Sequence, residues 1–202
     1  MTPRRVTLAM TGASGAEYTL RLFEILLQNE IQVQFITSQP GQIVMGMETR
    51  LKLTGSPQKM RQALAEHFNA DPGLIEVYSR DQWTAPPASG SSVADAMVVC
   101  PCSMGSLASI AVGSSENLIH RAADVIIKER RTLILVPRET PFSAIHLENM
   151  LKLARLGVVI LPPNPGFYHG VSEVAELVDF IVARILDQLQ VDNDLAPRWG
   201  NE

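Results

Sequence analysis

Short apolar runs recur along this chain, each ended by a small-residue or proline turn and followed by a stretch of helical periodicity. "RVTLAM" at 5–10, "IQVQFIT" at 31–37, "DAMVVC" at 95–100, "TLILVP" at 132–137 and "GVVIL" at 157–161 read as strands, with a shorter "LIEVY" at 74–78. Helical segments alternate with them at 15–28, 39–48, 56–68, 103–112, 118–130, 144–155 and about 172–189. In the first, Leu20, Phe23, Leu26 and Leu27 line one side. Strands that are apolar on both faces need cover on both faces. The order therefore predicts an α/β fold: a Rossmann-like three-layer sandwich with a mostly parallel sheet between helices.

Smaller signals place the turns. Pro57 suits the first turn of its helix, and Pro101 is expected to stop the strand before it. The segment "WTAPPASGSS" at 83–92 reads as a loop. The 202 residues fit one ordinary domain over 1–202, with a core of about 5–189 and a tail from about 190. Seventeen basic against 21 acidic residues, a net charge of -4, exclude a general nucleic-acid or membrane-surface binder while leaving room for a local basic pocket. The run "VTLAM" is too short for a signal-peptide core, and no apolar stretch is long enough to span a bilayer. Cys100 and Cys102 make no disulfide framework, so a cytoplasmic location is expected.

In a parallel sheet, ligands gather beyond the carboxyl ends of the strands. Three turns share that address: 11–15, 37–41 and 100–106. "TGASG" offers close backbone approach at Gly12 and Gly15, helix-start amides for a phosphate and a hydroxyl on Ser14; a tight structural turn is the plainer reading. It is neither a dinucleotide fingerprint nor a P-loop. Ser38 stands where dinucleotide enzymes often carry an acid for the ribose, which favours a mononucleotide such as FMN over NAD; a helix cap would equally use Ser38. "CPCSMGSL" adds Ser103 and Ser106 at a helix start, and its two cysteines lack the neighbours a metal site needs.

The stretch "RAADVIIKERRTLILVPRETPF" at 121–142 gathers Arg121, Lys128, Arg130, Arg131 and Arg138 around a strand, then places Glu139 next to Arg138. Arg121 and Lys128 are seven residues apart and can project from one side of a helix, while Arg138 and Glu139 follow a strand toward the ligand edge. A carboxylate beside cations and a phosphate can move a proton while the cations balance its charge, a general acid or base role; a salt-bridged surface glutamate is the alternative. Trp83, beside Pro86 and Pro87, and Tyr168, after "PPNPG", can wall an apolar pocket, and Tyr168 can also donate its hydroxyl to phosphate. His67, His120, His146 and His169 form no metal cluster in sequence.

Taken together, "MTGASGA", Ser38, "APPASGSS", "CPCSMGSLASIA", the 121–142 stretch, "HLENMLKLARLGVVILPPNPGFYH" and "APRWG" resemble the flavin prenyltransferases of the UbiX type, in the superfamily of homo-oligomeric flavin-containing cysteine decarboxylases. The matches run from residue 6 to residue 200. The resemblance implies a metal-independent transfer of the dimethylallyl group of dimethylallyl monophosphate to N5 and C6 of reduced FMN. Its products would be phosphate and the prenylated FMN used by a UbiD-type decarboxylase, in ubiquinone biosynthesis or aromatic acid decarboxylation. It also implies a homo-oligomer, commonly a dodecamer, with sites at subunit junctions.

Carried over by motif, Gly12, Ala13, Ser14, Ser38, Ser103, Met104, Gly105, Ser106 and Arg138 match flavin-binding positions. Tyr168, Arg184 and Lys128 match ligands of the donor phosphate, Arg121 and Glu48 further polar positions, and Trp83 a boundary of the prenyl chamber. Glu139, Ser14 and Lys128 are the catalytic candidates. Glu116 and "SQPGQI" after Thr37 depart from the family's commoner residues, in places that shape a loop or an interface. Two other functions share part of this logic: an FMN-dependent cysteine-type decarboxylase, and a non-catalytic flavin-binding or delivery protein.

Overall fold

The computed structural model describes residues 2–168, 170–198 and 200. Strands β1 (Arg5–Met10), β2 (Gln32–Thr37), β3 (Ile75–Tyr78), β4 (Ala96–Cys102), β5 (Thr132–Pro137) and β6 (Val159–Ile160) pair in parallel in the order β3-β2-β1-β4-β5-β6. The chain moves outward from β1 to β3, then returns to start β4 on the other side of β1. At such a reversal the connections diverge, leaving a crevice beyond the carboxyl ends of β1 and β4.

Helices α1 (Ala16–Gln28), α2 (Gln39–Glu48), α3 (Pro57–Phe68), α4 (Met104–Val112), α5 (Leu118–Lys128), α6 (Ala144–Arg155) and α7 (Val174–Leu189) cover the sheet. Residues of α1, α3 and α7 pack with Leu8, Phe35 and Val98 in one core cluster. Those of α4, α5 and α6 pack with Ala9, Ile36 and Val99 in the other. Alternation along each strand separates the two, giving the three layers expected from apolar strands.

Most predicted elements appear within a residue or two of their sequence bounds, and the differences have local causes. Pro101 does not end β4; the strand runs on to Cys102, with a register irregularity between Val99 and Cys102. A proline has no N–H to give the ladder but keeps its carbonyl, which here accepts from both the backbone N–H and the hydroxyl of Thr11. Helix α5 stops at Lys128 because Arg130 adopts a positive φ of 55°, turning the chain into β5. The 83–92 segment contains two short 3-10 turns, Pro86–Ala88 and Gly90–Ser92. It runs down the outside of α5, where the Arg121 guanidinium donates to the Ala88 carbonyl at 3.1 Å.

Candidate active site at the carboxyl edge of the sheet

The β1–α1 turn is built around two glycines. A Cβ on Gly12 would collide with Pro40 at the start of α2, and Gly15 holds a φ of 124°, which other residues rarely adopt. Gly15 caps α1 without a side chain, so the first amides of the helix need another acceptor. Glu48, at the far end of α2, supplies it: Oε2 accepts from the N–H of Gly15 at 2.8 Å and of Ala16 at 2.9 Å. The Ser14 hydroxyl bonds the same carboxylate, and Arg138 adds its charge from the end of β5. Burial alone would push the Glu48 carboxyl up; Ser14, the two amides and Arg138 together hold it below the ordinary glutamate range. The helix-start donors that the sequence offers to a phosphate are thus taken by a carboxylate, and Ser14 and Glu48 form a hydrogen-bonded pair.

The neighbouring turns are closed by serine caps. Ser38 Oγ accepts from Gly41 N at 3.0 Å, starting α2. Ser103 Oγ accepts from Ser106 N at 3.4 Å and donates to Ser106 Oγ at 3.2 Å, starting α4. The cap reading of Ser38 holds, Ser103 caps its helix in the same way, and both serines sit at the edge where an anion would lie. Met104 is buried against the second core, whereas a Cβ added to Gly105 meets nothing within 4 Å, so the first turn of α4 opens onto free space. Thr11, which sequence reading passed over, ties the first and third turns together. Its buried Oγ1 accepts from Ser103 N at 2.7 Å while donating to the Pro101 carbonyl at 2.9 Å. Cys100 and Cys102 are fully buried, and burial pushes both thiols up, Cys100 to about 12, so neither offers a thiolate near neutrality.

Within one chain the predicted site residues fall into three groups. Gly12, Ala13, Ser14, Ser38, Glu48, Ser103, Met104, Gly105, Ser106, Arg138 and Glu139 share the carboxyl edge. Arg138 N donates to the Cys102 carbonyl at 3.2 Å, and the exposed Glu139 carboxylate accepts from Thr140 N at 3.1 Å. Lys128 lies elsewhere. It ends α5 just before β5 begins, whereas Glu139 follows the end of β5, so the six residues of that strand separate them by about 20 Å.

Lys128 pairs with Glu129 beside Gly90, and Arg121 pairs with Asp124 at 2.8 Å while holding Ala88. Both face the 83–92 crossover, as their seven-residue spacing predicts. Glu129, the partner of Lys128, is itself exposed. Trp83 stands 48% exposed at the head of that crossover. The third group lies on α7 and in the turn before it. Tyr168 packs edge-on against Phe180, with centroids 6.2 Å apart, and shares a cavity of about 520 Å³ with Arg184. Arg184 sits about 15 Å along α7 from its start, away from the carboxyl edge. His169 and Trp199, quoted in the motifs above, lie outside the described residues. Among the described residues, no group of three or more His, Cys, Asp or Glu is placed to hold a metal ion.

Comparison with known proteins gives a consistent result. The family model described as Flavoprotein matches residues 1–186. A flavin prenyltransferase UbiX from Pseudomonas aeruginosa is 57% identical over 200 residues, covering 99% of this chain and 96% of that protein. Among solved structures, AnUbiX (PadA1) in complex with FMN and dimethylallyl pyrophosphate superposes with a TM-score of 0.86 at 39% identity, over 98% of each chain. A dodecameric FMN-dependent UbiX-like decarboxylase from Escherichia coli O157:H7 also gives 0.86, at 36% identity, over 98% of this chain and 100% of its own.

Proposed function

This chain belongs to the UbiX-type family of flavin prenyltransferases, and we propose how its residues divide the reaction. The enzyme transfers a dimethylallyl group to N5 and C6 of reduced FMN, producing prenylated FMN. Dimethylallyl monophosphate is the donor in our reading, and inorganic phosphate the product that leaves. The donor class rests on the relative that holds dimethylallyl pyrophosphate.

The residues at the carboxyl edge suit FMN. Capped starts of α2 and α4 face the crevice, hydroxyls stand at Ser38, Ser103 and Ser106, and Gly105 leaves open space beside them. Reduced FMN, when bound, supplies the electron-rich N5 and C6 that accept the prenyl carbons. The protein's own work is positioning and charge. Arg138 lies near Glu48 and faces the anionic side of the site, and Glu139 and the Ser14–Glu48 pair stand ready to take the proton that C6 must lose. The observation that carries this division is the Ser14–Glu48 pair at the start of α1, held ionised and next to Arg138.

Breaking the allylic C–O bond leaves negative charge on the phosphate, which Lys128, Arg184 and Tyr168 would receive, with Arg121 beside them and Trp83 bounding the apolar side. Their placement in two regions away from the carboxyl edge supports a site completed by neighbouring protomers, in an assembly like that of the dodecameric relative. We place the enzyme in the cytoplasm; among the described residues no helix is long and apolar enough to cross a membrane. The consumer of its product is a decarboxylase of the UbiD type.

The test supplies reduced FMN with either donor and follows flavin mass and phosphate release. Expected from the monophosphate is a flavin about 68 mass units heavier and one phosphate per flavin, the balance for adding a C5H8 unit. FMN binding without adduct or phosphate would identify a flavin-delivery protein and end this reading. Turnover from the diphosphate in preference would overturn the choice of donor alone.

A further inference from the structure

Asp187 holds two arginines at once. Its Oδ2 accepts from Arg184 Nη1 at 2.7 Å, and its Oδ1 accepts from Arg198 Nη2 at 2.9 Å. The carboxylate is only 18% exposed, whereas the two arginine side chains are 53% and 52% exposed. Asn193 donates to the same Oδ1 at 3.4 Å and to the Val191 carbonyl at 3.2 Å, which folds the chain after α7 back along the helix. Val191 is buried and Leu195 packs against the first core cluster, so the segment carrying Arg198 is anchored by apolar contacts as well. Tyr168, Arg184, Asp187, Asn193 and Arg198 line one cavity of about 520 Å³.

Two guanidinium groups against one carboxylate give the lining of that cavity a net positive charge, while Asp192 acts on Arg198 from outside the lining. Asp187 engages one nitrogen of each fork, and Arg198 Nη2 also donates to the Asn193 carbonyl at 3.4 Å; a guanidinium carries five N–H donors, so both arginines keep donors for a further anion. Burial would push the Asp187 carboxyl up, yet Arg198, Asn193 and Arg184 hold it below the ordinary aspartate range, so it stays a fixed negative strut between them. A tether for the tail alone would need one arginine; a strut that sets two side by side presents paired forks, the geometry suited to phosphate oxygens.

We propose that Arg198 is a second guanidinium ligand for the phosphate of the allylic donor, and that Asp187 is the positioning residue that sets Arg184 and Arg198 as a pair. This rests on the reading of Arg184 as a donor-phosphate ligand. Asp187 acts through the arginines and does not touch the donor.

The experiment titrates dimethylallyl monophosphate calorimetrically into the full-length protein loaded with oxidised FMN, where no transfer follows, and measures KM and kcat with reduced FMN. Arg198→Ala is expected to weaken donor binding and raise KM about tenfold, with FMN affinity unchanged. Arg198→Lys should recover part of the loss. Asp187→Asn removes a competing negative charge, so a purely electrostatic role predicts tighter donor binding, whereas a positioning role predicts weaker binding by a similar factor. Tighter or unchanged binding in Asp187→Asn overturns the positioning role. Loss of donor affinity in Arg184→Ala without loss in Arg198→Ala overturns the present proposal and leaves the proposed function standing. An Arg184→Ala variant that binds donor normally removes the assignment on which both rest. FMN affinity and melting temperature of each variant show whether it is folded; if Arg198→Ala fails that check, Arg198→Gln takes its place.

Discussion

Glu48 satisfies two amides at the start of α1 and accepts the Ser14 hydroxyl, so one carboxylate serves both helix capping and the proton chemistry proposed for the site. Replacing it by alanine is expected to cost about 1 kcal/mol at neutral pH, the ordinary scale for a lost cap, held down by solvent screening at an exposed position. Because its folded-state pKa is depressed, its contribution is present above the usual glutamate range and disappears as pH falls through the folded value. Urea denaturation of the wild type and Glu48→Ala at neutral and acidic pH checks this: the gap should shrink in acid, and a constant gap would refute the charge-dependent cap. For Glu139, exposed beside Arg138, the expectation is chemical. Glu139→Gln should bind FMN normally and form product about 100-fold more slowly in a single-turnover assay. Unchanged turnover would remove Glu139 from the mechanism. Ser38 and Ser103 were legible as turn residues because caps have a local signature, and Ser14 because it sits between the glycines of a strand-to-helix turn. Glu48 was not legible as the partner of Gly15, since 33 residues separate them and α2 must first lie across the sheet edge.

At the scale of elements, Thr11 is the joint between the β1–α1 and β4–α4 turns. Its single buried hydroxyl accepts from Ser103 N and donates to the Pro101 carbonyl, which also accepts from Thr11 N. Thr11→Val keeps the shape and leaves Ser103 N without its acceptor, which should destabilise the fold by about 1–3 kcal/mol and weaken FMN binding along with it. Thermal denaturation with and without FMN reads both effects, and a variant as stable as the wild type would show that the two turns hold themselves. The strands and helices were readable because their periodicity repeats within each segment. Pro101 misled because proline's effect depends on whether a neighbour donates to its carbonyl, and that neighbour, Thr11, lies just past the end of β1. Likewise α5 stops two residues early at a positive-φ turn, a choice made by the packing of the following strand.

The whole molecule carries its candidate residues on surfaces that face apart. Lys128 and Glu139 sit at opposite ends of β5, and Arg184 lies on the outer side of α7. If junctions between protomers complete the site, two variants damaged at different places can repair each other. Co-expressing Lys128→Ala with Glu139→Gln should restore about a quarter of wild-type activity, the share of junctions that by chance draw both intact side chains. Each variant alone should remain at about a hundredth of wild-type activity or below. A mixture no more active than its components would mean that the two residues do not meet across an interface.

The order of strands and helices, the carboxyl edge as the place of the turns and the identity of the chemical groups all follow from the sequence, because each depends on short-range pattern or on motif. Which groups meet does not. Glu48 reaches α1, Thr11 bridges two turns, Asp187 joins Arg184 to Arg198, and Lys128 is carried away from Glu139, since each relation depends on where the sheet sends the chain between them.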